Sequence, residues 1–287
     1  MIYLLLSILA STIIFIIFKL FEKFHINIFQ AIVVNYCIAF TTGILSYNGT
    51  ITISQLPNLD WFYYTLILGA LFIIVFNLMG ITTQKNGLSV VSVATKMSVV
   101  VPVLFGLLYY NENLGAIKLF GIGIALIAVY LTSNKSDQRT VINRKLIVLP
   151  ILVFVGSGII DTSIKFLEDA YVADNDVPLF SAIIFLAAAI IGFIIIIIQV
   201  MSGSFKFEFK NVIAGICLGV PNYFSIYFLV KTLRSDILES SGIFAINNVS
   251  IVTLSTFVGI FLFKEKLIKK NWIGIGLAIL SIILISI

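Results

Sequence analysis

Hydrophobic residues in this chain come in long unbroken runs, separated by short stretches that hold nearly all the charge. The runs fall at about 2–18, 28–46, 60–80, 89–110 and 114–132, and then at about 146–167, 178–200, 211–230, 241–263 and 271–287. They are continuous, whereas the strands of a membrane barrel alternate apolar and polar positions. Each approaches the ~20 residues with which an α-helix crosses about 30 Å of hydrocarbon. The pattern predicts an all-α integral membrane protein with ten transmembrane helices. The first run has no basic segment before it and no A-x-A-like cleavage site after it, so it reads as a retained helix. Trp61 and Trp272 open the third and tenth helices, where an interfacial aromatic belt would stand.

The chain also repeats itself. Ser11, Ile13, Ile14, Lys19 and Glu22 recur with the same spacing as Ser157, Ile159, Ile160, Lys165 and Glu168. Gly106, Glu112, Leu114, Gly121, Gly123 and Ala125 recur 153 positions later as Gly259, Glu265, Leu267, Gly274, Gly276 and Ala278. Two five-helix halves, about 1–135 and 143–287, account for both matches. Five is odd, so the second half enters the membrane in the opposite sense. The loop charges agree: Lys19 and Lys23 follow the first helix, whereas Glu168, Asp169, Asp174 and Asp176 follow its counterpart. Lys118 alone stands after the fourth helix, against Lys264, Lys266, Lys269 and Lys270 after the ninth. Lys85, matched with Lys231 and Arg234, breaks the contrast. Inverted repeats of this kind are characteristic of carriers.

Composition narrows the class further. Of 287 residues 60% are apolar and 11% charged, with mean hydropathy +1.15. A soluble domain carries about 25% charge, so a soluble enzyme, a nucleic-acid binder and a disordered protein are all excluded. Of the 18 Lys and Arg residues, 13 lie on the face holding loops 1–2, 3–4, 5–6, 7–8 and 9–10, and 3 on the face holding the termini. Cytoplasmic loops carry the basic excess. This puts the linker Asn134–Lys145 inside the cell and both termini outside, in a multi-pass protein of the cell (inner) membrane. Cys37 and Cys217 sit singly in apolar runs and read as small core residues.

In each half a helix of small residues leads through a short Glu-containing turn into a Gly-x-Gly helix. The two copies are Val101–Glu112 with Gly121-Ile-Gly123, and Leu254–Glu265 with Gly274-Ile-Gly276. Over essentially the whole chain this arrangement resembles the EamA-like branch of the drug/metabolite transporter superfamily. The second copy has Ser255 where the first has Pro102. The resemblance implies a secondary transporter, often an exporter, that moves a metabolite, amino-acid-like compound or drug through a central cavity by alternating access. It also implies cytoplasmic termini, the reverse of the charge bias.

Polar groups inside a span are costly and usually face a cavity or a partner. Lys96 lies about seven residues into the fourth helix, roughly 10 Å deep, and offers an ammonium to an anionic group of a substrate; the alternative is snorkelling or internal pairing. Asp161 is the one carboxylate well inside a span and Lys165 follows four residues later, which makes them a proton-coupling site or an ion pair. Asn77, Asn222, Tyr223, Tyr227, Asn247 and Asn248 are candidate substrate-binding walls, or ordinary interhelical glue. Pro102 and Pro221, mid-span, are candidate hinges. Glu112 and Glu265 read as interfacial caps, and the Gly-x-Gly pairs and Gly215-x-x-x-Gly219 as helix packing, the latter within a monomer or a homodimer.

The runner-up is a membrane-embedded enzyme acting on a lipid-linked substrate, followed by a passive channel. The one histidine, His25, is in a loop and no acidic pair lies within the spans, so neither metal nor cofactor chemistry is expected. Orientation is the directly checkable part. A tag at either terminus should react with an impermeant reagent on intact cells; a tag reached only after permeabilisation overturns the charge reading.

Overall fold

A computed structural model describes residues 1–47, 49, 51, 53–109, 115–133, 144–173, 176–233 and 240–286. Most of the linker Asn134–Lys145 and all of Glu112 lie outside these residues. The described residues form α1 (Ile2–Lys23), α2 (Ile28–Leu45), α3 (Phe62–Asn86), α4 (Leu88–Met97), α5 (Val100–Tyr109), α6 (Ala116–Ser133), α7 (Arg144–Tyr171), α8 (Val177–Met201), α9 (Phe209–Leu233), α10 (Ser240–Phe261) and α11 (Lys269–Ser286). A 3₁₀ turn covers Ile53–Asn58, and the described residues contain no strand. Among the described residues seven stretches are long and apolar enough to span a membrane, one of them shared by α4 and α5 as Leu88–Phe105. Ala116–Thr132 and Ile246–Phe261 are apolar but shorter. The fold is that of a multi-pass helical membrane protein.

Every predicted run becomes helix, with one revision. The fourth run is two helices, broken at Ser98–Val99. Pro102 has no N–H to give the Ser98 carbonyl, and Val101 N donates to that carbonyl instead, at 2.9 Å. This tightens the turn and ends α4. Pro221 and Pro150, by contrast, lie inside α9 and α7, which continue through them. Between α3 and α4 a single residue, Gly87, reverses the chain at φ 103°. Only glycine takes that conformation at low cost.

In hydrocarbon, helices associate through close packing rather than through a hydrophobic drive. The principal packed pairs are α6 with α11, α2 with α9 and with α8, α1 with α9 and with α10, α3 with α8 and with α7, and α4 with α10 and with α7. Small residues set the closest approaches. A Cβ on Gly215 would stand 2.6 Å from the Ala31 carbonyl oxygen, and one on Gly219 2.9 Å from that of Asn35. The Gly215-x-x-x-Gly219 face is therefore filled by α2 of the same chain. Gly69 does the same against Ala187 and Ala188 of α8.

In the Gly-x-Gly pairs the first glycine packs and the second does not. Gly121 and Gly274 lie against the partner helix of the α6–α11 pair, whereas a Cβ on Gly123 or Gly276 would meet nothing within 4 Å. Ser281 Oγ adds a bond to the Gly121 carbonyl at 2.8 Å.

Aromatic side chains fill the centre. Tyr36 stacks on Phe185 at 5.9 Å and donates its hydroxyl to the Phe72 carbonyl at 2.8 Å. Trp272 is exposed, as an aromatic belt requires, but Trp61 is 2% exposed and packs edge-on against Phe180. Cys217 faces outward, so the core reading holds only for the partly buried Cys37.

The glycine geometry fixes an expected stability difference. Gly274→Ala, whose Cβ would lie 2.9 Å from Thr132 N, should cost ~1–3 kcal/mol by overpacking. Gly276→Ala should leave thermal unfolding in detergent unchanged or slightly raised. Equal melting shifts for the two variants would contradict this packing.

Candidate functional site

The helix break in the fourth span faces α7. Gly158 makes the approach possible: a Cβ there would overlap Val101 and stand 3.1 Å from the Ser98 carbonyl oxygen. One turn further along the same face of α7 comes Asp161. Its Oδ2 lies 3.1 Å from Ser98 Oγ, and that hydroxyl also lies 2.6 Å from the Thr95 carbonyl. One hydroxyl proton is thus contested by two acceptors. Lys96, in the last turn of α4, is within electrostatic reach of Asp161, although no ion pair within 4.0 Å joins them. The sequence offered Lys165 as the ion-pair partner of Asp161. The structure forms no such pair, and Asp161 turns across the helix interface instead.

The exposure of these groups is informative. Ser157 and Gly158, on the same face of α7, are buried, and Ser98 is 1% exposed. Asp161, among them and inside the apolar stretch Ile147–Leu167, is exposed, and Lys96 is half-buried midway along Leu88–Phe105. Asp161 thus stands at the edge of the α4–α7 contact rather than within its packed core. Thr95, Thr162 and Ser163 beside it are half-buried. Polar side chains therefore face this edge from both helices.

The remaining predicted residues are placed elsewhere. Asn222 Nδ2 donates to Asn35 Oδ1 at 3.1 Å, which ties α9 to α2 in the dry interior. Asn247 Oδ1 is 3.4 Å from Ser7 Oγ, whose stronger bond goes to the Ser225 carbonyl at 2.8 Å, so this group ties α1 to α9 and α10. Asn77 bonds back to the Ile73 carbonyl of its own helix at 2.7 Å. Asn248 is nearly buried in α10. Tyr223 and Tyr227 stack on each other at 6.0 Å and line a separate, apolar pocket with Gly43, Pro178, Ser181 and Phe185. These side chains do not form one continuous wall: Lys96 and Asp161 are neighbours without an ion pair, Asn222 and Asn247 bond across helix interfaces, and the tyrosines line another pocket. Among the described residues no three His, Cys, Asp or Glu side chains come together as a metal set.

Sequence reasoning missed Ser98, Asn35 and Ser7. Asn35 was within reach as an amide inside an apolar run. Ser98 and Ser7 carry no such signal, because a serine in a span usually bonds its own helix.

Glu265 is also more than an interfacial cap. Its Oε1 accepts from Leu88 N at 2.6 Å, and its Oε2 accepts from Ser89 Oγ at 3.0 Å and Ser89 N at 3.4 Å. A residue beyond α10 thereby satisfies the free amides at the start of α4.

Because Asp161 is exposed, Asp161→Cys in a Cys37→Ser, Cys217→Ser background should react readily with a small hydrophilic thiosulfonate. Ser157→Cys, one turn earlier, should react at least about tenfold more slowly, in line with a buried side chain reached only through local opening. Equal rates would contradict that difference in exposure.

No family model matches the chain. A solved crystal structure superposes with a TM-score of 0.58 over 97% of this chain and 96% of that one, at 14% sequence identity. This likeness concerns the fold alone. A protein of Haemophilus influenzae (strain ATCC 51907 / DSM 11121 / KW20 / Rd), described as an uncharacterized protein, is 31% identical over 277 residues, 94% of this chain and 92% of its own length. With that identity carried over nearly the full length of both proteins, the chain belongs to the same family as this Haemophilus influenzae protein.

Proposed function

We propose that this chain is a secondary membrane transporter of the drug/metabolite kind, an exporter of a small metabolite, amino-acid-like compound or drug. The observation that carries the reading is the placing of Lys96 and Asp161 near each other, without an ion pair, at a helix break inside an apolar bundle, with Asp161 hydrogen-bonded to Ser98 at the break. Intramembrane charges that are neither paired nor snorkelling mark substrate or ion pathways, and irregular backbone at membrane depth is tolerated where it lines a cavity.

Helix packing supports ten spans in two inverted halves. Count α4 and α5 as one span and exchange each span with the one five later. The pair α2–α9 becomes α8–α3, α1–α9 becomes α7–α3, and α1–α10 becomes α7–α4, all of them packed pairs. The pairs α2–α8, α4–α10 and α6–α11 map onto themselves. Gly121 and Gly274, equivalent by sequence, do equivalent packing work. Two such halves rocking about a fixed site is the geometry of alternating access.

Lys96 binds an anionic substrate group and Asp161 carries the coupling proton. A protonated Asp161 donates to Ser98 Oγ and leaves the serine proton to the Thr95 carbonyl. An ionised Asp161 competes with Thr95 for that proton, so proton exchange alters the hydrogen bonding of the helix break at its weakest point. Pro102 acts as the hinge beside it.

The test is flux in proteoliposomes, starting from a panel of labelled metabolites and scoring saturable counterflow. Lys96→Ala should lower the flux of a hit at least about tenfold, the order expected when one partner of a desolvated charge contact is truncated. Asp161→Asn should abolish the dependence on a proton gradient. Product formation without translocation would instead favour the enzyme, non-saturating flux the channel, and unchanged transport by Lys96→Ala would remove the site.

A further inference from the structure

The contact between Glu265 and α4 has features that a passive helix cap does not need. A local cap comes from the N-cap residue itself. Here that residue is Gly87, which has no side chain and makes no cap bond. The carboxylate that fills the place comes from Glu265, 177 positions after Leu88 whose amide it accepts from. A seat has been made for it. A Cβ on Gly87 would stand 2.7 Å from Glu265 Oε1, and one on Gly259 2.6 Å from Oε2, so both positions must be glycine for the carboxylate to sit there. Lys264, immediately before it, is held in the left-handed region at φ 53°, and Glu265 N is bonded to the Gly259 carbonyl at 2.9 Å. Non-glycine residues reach that region at a cost of about 1–2 kcal/mol and persist there only where the surroundings impose it.

We propose that Glu265 is a latch that closes the face of the bundle bearing the α3–α4 and α10–α11 turns, and a positioning residue for the site on α4. Leu88 and Ser89 stand at one end of α4, and Lys96 and Ser98 at the other, next to the break at Pro102. The ten-residue helix is the lever between latch and site. A latch must also open readily. Apolar packing offers no substitute when it is broken, but water replaces a carboxylate on exposed amides at little net cost. The half-buried Glu265 lies where water reaches it on opening. The link to transport rests on the function proposed above; the latch itself does not, and it is testable without any transported solute.

In a Cys37→Ser, Cys217→Ser background, Ser92→Cys reports on the latched face and Thr65→Cys on the opposite one, since both side chains are 0% exposed and each lies near the start of its helix. The readout is the rate of reaction of the purified protein with a water-soluble maleimide. Glu265→Ala should speed the Ser92→Cys reaction about tenfold or more, the order set by losing a charge-assisted hydrogen bond, and leave Thr65→Cys unchanged. Gly259→Ala, which keeps the glutamate but pushes its carboxylate out of the seat, should do the same and decides the matter if Glu265→Ala does not fold. Glu265→Gln, which retains one acceptor for Leu88 N, should fall between. Unchanged rates at Ser92→Cys in Gly259→Ala, or a parallel rise at both reporters, would overturn the latch.

Discussion

The constraint on which this structure depends is the solvent. Hydrocarbon offers no hydrogen bonds, so every backbone amide and carbonyl within the membrane must be satisfied by the protein. That requirement forces helices on all the long runs and makes each interruption of a helix a local problem to be solved. At Ser98–Val99 the solution is visible: Pro102 withdraws a donor, Val101 supplies one from a residue nearer, and the Ser98 hydroxyl satisfies Thr95 while reaching Asp161. At Gly87 the start of α4 is satisfied by Glu265 from the far end of the chain. At both of these irregular points a charged side chain enters the bundle.

Because lipid tails are as apolar as the side chains, burial does not tell helices apart and fit does. Glycine and alanine place α9 on α2, α3 on α8 and α6 on α11 at backbone contact. Polar side chains then hold the register: Asn222 with Asn35, Ser7 with Ser225, Asn271 with the Thr132 carbonyl. Such bonds are worth on the order of 0.6 kcal/mol each in membranes, enough to choose a rotation of one helix about another and too little to drive association. What they leave over is the group of polar side chains where α7 meets the broken span.

Much of the site was legible as a list of residues and little of it as a place. Lys96 and Asp161 stand out because charges inside apolar runs are rare, and Pro102 because it removes a donor. Helical periodicity correctly puts Asp161 and Lys165 near one another on α7, but periodicity sees only one helix, and the partners Asp161 adopts are on α4 and at its end. Asn222, Asn247 and the tyrosine pair were grouped by type. In space they separate, because amides at a packed interface and aromatics at an apolar pocket answer to different neighbours. The outer glycines of the two Gly-x-Gly motifs are indistinguishable in sequence from the inner ones, yet only Gly121 and Gly274 touch a helix.

The sequence by itself determined the helical runs and the membrane setting, since these follow from the apolar content of contiguous residues and from the price of an unpaired amide in hydrocarbon. It also marked the few charges that had to be accommodated. Only the tertiary structure decided which of those charges come near each other, that Asp161 bonds to Ser98 across a helix interface, and that the glutamate after α10 serves the helix after α3. Those outcomes depend on shape complementarity between helices remote in the chain, a property of surfaces that no local run of residues contains.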